Sequence, residues 1–266
     1  MPELEISRIH DAYAERGECP LCSVMTTVET NYLRSFRGAR VMAPEVRVGT
    51  NRSGFCPEHY ERLYRGEGKL GLGLMVHTHL AELLPSLRRE LQAALTQALG
   101  KAPGLLARLR ARRADSAAGG LAARLRHLVS RCYICDMLAR DLEHFCFTVL
   151  YLWQRDAAFP GTLRASRGFC LSHYAALLHK AERMLRPEEL RGWLGDTVPL
   201  EIQSLERLEQ EVLSFTQSYH HTARGSPRDA EERTALSRAV QKLSGRMLRL
   251  ERGLGPAPAE EQDHLS

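Results

Sequence analysis

The sequence predicts an all-α fold, because apolar residues recur at helical spacing along most of the 266 residues and no convincing alternating strand is present. Two further observations bear on how the helices are arranged. A pair of short cysteine motifs occurs twice in the same order, and a stripe at heptad spacing lies near the C-terminus. We therefore expect a duplicated helical unit, made of two helical hairpins, followed by a C-terminal helix.

Apolar residues three and four positions apart mark the individual helices. The stripes cover residues 24–36, 74–99, 138–152, 198–219 and 236–254. Within the second stripe, Pro85 predicts a kink or a helix boundary, because proline lacks an N–H donor and its ring clashes with the preceding turn.

The cysteine motifs indicate an internal duplication. Cys19-Pro-Leu-Cys22 recurs 113 residues later as Cys132-Tyr-Ile-Cys135, and Gly54-Phe-Cys56-Pro-Glu-His59 recurs 114 residues later as Gly168-Phe-Cys170-Leu-Ser-His173. Two matching motifs in matching order rarely arise by accident, so we interpret the chain as two copies of one unit.

Composition suggests where each copy ends. Pro103 and the pair Gly119-Gly120 lie in a segment rich in Ala, Arg and Gly, which is typical of a linker. The predicted regions are a first metal-binding repeat at 1–100, a basic linker at 101–120, a second metal-binding repeat at 121–221, an amphipathic helix at 228–252 and a frayed tail at 253–266.

The metal prediction rests on the residue types in each repeat. Two cysteines at i and i+3 can direct both sulfurs at one ion where they flank the first turn of a helix, and the N–H groups there favour the thiolate. A Cys3His set is an established structural zinc site, so we expect two Zn²⁺ ions per chain. Because 33 and 34 residues separate the motifs within the repeats, we predict one ion in each repeat. The predicted ligand sets are Cys19, Cys22, Cys56 and His59 in the first repeat and Cys132, Cys135, Cys170 and His173 in the second.

Other interpretations of these cysteines stay open. The same ligands could hold an iron–sulfur cluster, since thiolate-rich sites suit iron as well as zinc, and the chain would then be a redox or electron-transfer protein. A thioredoxin-like dithiol belongs near a βαβ pattern, which the sequence lacks. The thiols could also be plain core residues, which is the role we expect for the seventh cysteine, Cys146. Glu29 and Glu143 align between the repeats and are candidate partners of the metal ligands, although exposed helix charges are the commoner case.

Composition excludes several classes of protein. Hydrophobic residues make up 44% of the chain and charged residues 26%, which is ordinary for a globular protein. The N-terminus lacks the apolar core of a signal peptide, and the longest apolar stretch, residues 145–153, is too short to span a membrane. Seven cysteines in such a chain argue for reduced thiols, so we expect a cytoplasmic protein.

No catalytic motif is evident, because HExxH, the P-loop and GxSxG are all absent. Whether the protein is an enzyme stays uncertain, and we favour a structural scaffold or adaptor. The segment Lys101–Arg131 holds eight basic residues and one acid, so it could contact nucleic acid or an acidic partner. It has no aromatic residue for stacking on single-stranded bases.

The heptad stripe from Leu236 to Leu254 must be covered by another surface. It spans fewer than three full heptads, and Gly245 lowers its helix propensity by about 1 kcal/mol relative to alanine. We therefore expect it to dock on the 198–219 helix of its own chain, which favours a monomer over a homodimer.

The sequence also resembles a known family. Glu18-Cys-Pro-Leu-Cys22, Glu29-Thr-Asn-Tyr-Leu33, Pro44-Glu-Val-Arg47, Ser53-Gly-Phe-Cys56-Pro-Glu-His59 and Gly71-Leu-Gly-Leu74 carry the resemblance. They are similar to the bacterial domain-of-unknown-function 6062 family over about residues 5–220. The resemblance implies a cytoplasmic bacterial protein with a helical, metal-binding body, and it implies no activity.

Overall fold

A computed structural model of the protein describes residues 2–66, 68–99, 105–217 and 230–245. Across these ranges the regular elements are all helices, which confirms the predicted all-α fold. The α-helices are α1 Pro2–Ala14, α2 Pro20–Arg37, α3 Pro44–Ser53, α4 Pro57–Arg65, α5 Lys69–Leu99, α6 Leu105–Ser130, α7 Tyr133–Arg155, α8 Phe159–Arg164, α9 Leu171–Met184, α10 Pro187–Gln217 and α11 Ala230–Ser244. A 3₁₀ turn, Ala39–Met42, lies between α2 and α3.

Proline begins several of these helices. Pro20, Pro44, Pro57 and Pro187 are the first residues of α2, α3, α4 and α10. Proline suits this position because its fixed φ matches the helix and its missing N–H would have no partner inside the helix. Pro85 lies inside α5, which continues through it, so it is not the helix boundary that its position in the sequence suggested.

The predicted linker is mostly helical. Residues 105–120 belong to α6, which packs against α5, whereas residues 101–104 lie outside the described ranges. Alanine, leucine and arginine all have high helix propensity, and the helix continues through Gly119 and Gly120.

The chain divides into two compact units, and each combines parts of both predicted repeats. One unit consists of Met1–Val24 and Cys146–Ser266, and the other of Met25–Phe145. We call them the terminal unit and the central unit. Their boundaries fall inside α2 and α7, so each of these helices begins in one unit and ends in the other.

The central unit has an apolar core around Phe36. The rings of Phe55 and Tyr133 meet Phe36 edge to face, each with a centroid distance of 5.9 Å. Val46 and Met75 are buried in the same core. Phe55, which precedes Cys56, and Tyr133, which follows Cys132, therefore pack into the same core.

The terminal unit has its own core. Trp193 of α10 is fully buried and meets Trp153 of α7 edge to face at 5.6 Å. Phe159, Phe169 and Leu177 are also fully buried. This core brings α8, α9 and α10 together around the second CxxH motif.

Helix α11 docks on α10, as predicted, but not through the heptad stripe. Leu236 and Leu243 are 48% and 64% exposed, whereas Lys242 is fully buried. Lys242 Nζ lies 3.1 Å from Glu201 Oε2 and donates to the Arg167 carbonyl at 2.8 Å. A buried carboxylate needs a paired cation. The face of α11 that carries Lys242 therefore packs against Glu201 of α10, and Leu236 and Leu243 of the heptad stripe stay exposed.

The C-terminal end of the stripe, Met247, Leu250 and Leu254, lies outside the described residues. No helix in the described part of the chain is both long enough and apolar enough to cross a membrane.

Candidate metal centres

The eight predicted ligands form two clusters. In the terminal unit, Cys19, Cys22, Cys170 and His173 come together, and all four are buried. We call this set the buried cluster. Cys22 Sγ lies 3.6 Å from Cys170 Sγ, and His173 Nδ1 lies 3.4 Å from Cys19 Sγ, 3.5 Å from Cys22 Sγ and 3.1 Å from Cys170 Sγ.

The second cluster lies in the central unit. It consists of Cys56, His59, Cys132 and Cys135, and because Cys135 is exposed we call it the half-exposed cluster. His59 Nδ1 lies 3.2 Å from Cys56 Sγ, 3.2 Å from Cys132 Sγ and 3.4 Å from Cys135 Sγ. Cys56 Sγ and Cys135 Sγ are 3.9 Å apart.

Every pair of ligands sits at the start of a helix, as the sequence suggested. Cys56 and Cys170 are the N-cap residues of α4 and α9, and the Cys170 sulfur accepts the backbone N–H of His173 at 3.4 Å. Cys19 and Cys132 directly precede α2 and α7 and accept the N–H of the cysteine three positions on, at 3.4 and 3.5 Å. Each cluster thus receives two helix N-termini, whose positive dipole ends stabilise thiolates.

A glycine precedes each Phe-Cys of the CxxH motifs for a conformational reason. Gly54 and Gly168 have φ values of +60° and +71°, a region that disfavours residues with a Cβ. A Cβ at Gly168 would lie 2.5 Å from Glu201 Oε1, and one at Gly54 would lie 2.8 Å from His79 Nε2. Glycine therefore permits the sharp turn that delivers the cysteine to the helix start.

The predicted pairing of motifs within each repeat is wrong. Cys19 and Cys22 cluster with Cys170 rather than with Cys56 of their own repeat, and Cys132 and Cys135 cluster with Cys56. Helix length explains the difference. The 15 residues of α2 that follow Cys22 carry the chain about 22 Å away from it, and the 10 residues of α3 span only about 15 Å, which is too short to bring the next CxxH motif back to Cys22.

A carboxylate lies behind the histidine of the half-exposed cluster. Glu29 Oε1 is 3.0 Å from His59 Nε2, and Arg62 also pairs with this carboxylate. Since Nδ1 of His59 faces the sulfurs, Nε2 is the nitrogen that donates to Glu29, which fixes the ring orientation. Glu29 is one of the two predicted partners, whereas the other, Glu143, is exposed on α7.

The same contacts set the protonation of this histidine and carboxylate. Burial raises the pKa of Glu29, but the hydrogen bond from His59 and the charge of Arg62 outweigh it and lower this pKa to about 2. Burial lowers the pKa of His59, while hydrogen bonds to Cys132 and Glu29 raise it to about 10. Glu29 is therefore ionised, and Nε2 of His59 carries the proton that it shares with Glu29.

One sulfur of each cluster is favoured as the thiolate. The hydrogen bond with Cys135 and, against burial, the hydrogen bond with His59 lower the pKa of Cys132 to about 3. Hydrogen bonds with Cys19 and Cys22 hold the pKa of Cys170 well below its usual range. Each cluster therefore offers one readily formed thiolate, the form of cysteine that binds metal ions, among its sulfur and nitrogen donors.

A charged network next to Cys19 could not be found from the spacing of the motifs. Glu18 is almost fully buried and forms ion pairs with Arg167 at 2.9 Å, Arg207 at 2.6 Å and Arg238 at 2.9 Å. It ties α10 and α11 to the start of α2. The seventh cysteine, Cys146, is buried on α7 and belongs to neither cluster, in keeping with the core role predicted for it.

Within each cluster, one nitrogen and three sulfurs lie within 4.8 Å of one another, so one metal ion could contact all four. The family model DUF6062, described as a family of unknown function, matches residues 2–249, which include both clusters. No curated protein and no solved structure matches the chain. The chain belongs to the family of unknown function DUF6062.

Proposed function

We propose that each chain binds two Zn²⁺ ions, one in each cluster, and that these ions hold together a non-enzymatic helical scaffold. The observation that carries the proposal is the spacing of the ligand atoms. Tetrahedral zinc, with bonds of about 2.3 Å to sulfur and about 2.0 Å to nitrogen, separates its ligand atoms by about 3.5–3.8 Å. The sulfurs of Cys22 and Cys170 are 3.6 Å apart, those of Cys56 and Cys135 are 3.9 Å apart, and the sulfur–nitrogen separations in the two clusters are 3.1–3.5 Å.

The same spacing argues against an iron–sulfur cluster, the alternative that the residue types allow. In an iron–sulfur cluster the protein ligands are divided among two or more irons, and sulfides lie between those irons. Ligands on different irons must therefore stand further apart than the edges of a tetrahedron around one ion. A Cys3His set whose ligand atoms lie within 4.8 Å of one another suits one metal ion better than an iron–sulfur cluster.

A structural role follows from the ligand count. Four protein ligands complete a zinc tetrahedron and leave no position for water or substrate, which is typical of structural rather than catalytic sites. Cys22 and Cys170 are 148 residues apart in sequence, and Cys56 and Cys135 are 79 apart. Each ion would therefore connect segments that the chain itself does not hold close together.

Two further elements belong to this proposal. The doubled motifs favour an internal duplication in which the repeats exchange ligand pairs. Seven thiols, with no disulfide among the described residues, favour a reducing compartment such as the cytoplasm.

The adaptor role is supported by the charge of Lys101–Arg131, much of which forms α6. We propose that the protein is a monomer and that this helix contacts an acidic protein or nucleic acid. Arg126 is exposed, so Arg126→Glu should weaken salt-sensitive binding to a labelled DNA duplex or to polyglutamate. Wild-type protein that binds neither polyanion at low salt would remove the adaptor proposal and leave the zinc proposal intact.

Metal analysis tests the zinc proposal. Protein purified without oxygen or chelator should contain two zinc ions per chain and show no absorbance band at about 400 nm. Acid should release the zinc and lower the helix content, because zinc binds deprotonated thiols and acid protonates them. Iron with a brown colour, or less than one metal ion per chain, would contradict the proposal.

A further inference from the structure

A cavity of about 430 Å³ lies in the terminal unit, between the loop after α8 and one face of α10. Three arginines line it: Arg164 at the end of α8, Arg167 in the loop after α8, and Arg207 on α10. None of the described residues that line it is acidic. Neither metal cluster includes any of these residues, so the cavity is a separate feature.

The arginines are held in place from outside the cavity. Arg164 Nη1 pairs with Asp196 at 2.8 Å, and Arg207 pairs with Glu211 at 2.8 Å and with Glu18 at 2.6 Å. A guanidinium has five N–H donors in a planar fork, and a single ion pair of this kind does not use all of them. Arg164 is 56% exposed, so its remaining donors are accessible to a ligand.

We infer that this cavity binds a small organic phosphate monoester. The guanidinium groups match a phosphate in charge and in bidentate geometry. Leu200 and Ala165, which also line the cavity, give apolar contact for the organic part. The volume lies in the range of small-molecule sites, which indicates a ligand larger than a bare anion.

The buried cluster supports the walls of this site. Arg167 lies three residues before Cys170, and Glu18, which pairs with Arg167 and Arg207, directly precedes Cys19. The full-length, metal-loaded chain is therefore the protein to test.

Calorimetric titration with three monoesters of different size tests the inference: glycerol 3-phosphate, ribose 5-phosphate and adenosine monophosphate. At least one should bind with a Kd below about 1 mM, at least tenfold more tightly than inorganic phosphate, and ribose should not bind. Arg164→Gln should weaken the binding about tenfold or more, because it removes a charged donor. Gln203 is an exposed residue of the cavity lining, and Gln203→Glu should also weaken the binding about tenfold or more, because its negative charge repels the phosphate.

Arg186→Gln is the matched control, because Arg186 is an exposed arginine with an acidic partner, Glu189, outside the cavity. It should leave binding unchanged, and circular dichroism should show that all three variants keep their helices. The inference is overturned if no monoester binds, if inorganic phosphate binds equally well, or if all three variants bind like the wild type. Tighter binding of a DNA duplex than of any monoester, lost in Arg164→Gln, would also overturn it and identify the arginines as a nucleic-acid contact.

Discussion

Glu29 Oε1 lies 3.0 Å from Nε2 of His59, whose other ring nitrogen faces the three sulfurs of the half-exposed cluster. A carboxylate in this position orients the imidazole and makes it a stronger ligand. Glu29→Ala should therefore lower the zinc affinity of this cluster by about 10–100-fold. Competition with a chromophoric chelator measures that affinity.

Two companion variants make the Glu29 experiment specific. Glu29→Gln keeps a hydrogen-bond acceptor for His59 and should lose less affinity than the alanine variant. Glu61, which forms an exposed pair with Arg65, provides the control, and Glu61→Ala should leave zinc affinity unchanged. Equal affinities in Glu29→Ala and wild type would show that Glu29 has no influence on the metal.

The two clusters should lose zinc at different rates because their ligands differ in exposure. Cys135 is exposed and Cys56 is half-buried, whereas all four residues of the buried cluster are buried. Excess chelator should remove one zinc ion quickly and the other slowly. Alkylation followed by mass spectrometry should label Cys135 before Cys19. Simultaneous release of both ions, or earlier labelling of Cys19, would contradict this order.

The docking of α11 depends on a buried ion pair. Lys242 and Glu201 are nearly inaccessible to solvent, so Lys242→Met leaves a buried carboxylate without its cation. Removing one partner of such a pair costs about 3–5 kcal/mol in the free energy of unfolding. Urea denaturation measures this loss, and hydrogen exchange should locate it in α11.

Arg233→Met is the control for this substitution, because Arg233 is an exposed cation on the same helix. It should change the free energy of unfolding little. If both variants unfold at the same urea concentration as the wild type, the polar face of α11 does not hold it to α10.

Much of the fold could be predicted because helical periodicity is a local property of the chain. The stripe at residues 24–36 became α2, and the stripe at 138–152 became part of α7. The eight clustered residues were also identifiable, since CxxC and CxxH place their side chains at helix starts by spacing alone. Glu29 could be found only by aligning the repeats, because its contact with His59 spans 30 residues.

The pairing of the motifs was not predictable from spacing. Separation along the chain favours Cys22 with Cys56, but a rigid helix such as α2 carries the chain away from its starting point. The docking face of α11 was missed for a related reason. Its apolar stripe is evident in the sequence, whereas the buried Glu201 that Lys242 pairs with lies on another helix, α10.

The exchange of ligand pairs between the repeats can be tested by the zinc content of two double variants. Cys22→Ser/Cys170→Ser removes two ligands from the buried cluster, while Cys22→Ser/Cys56→Ser removes one from each cluster. After dialysis against a chelator strong enough to empty three-ligand sites, elemental analysis should find one zinc ion per chain in the first variant and none in the second. The reverse result, none in the first and one in the second, would show that each repeat binds its own ion and would contradict the arrangement described above.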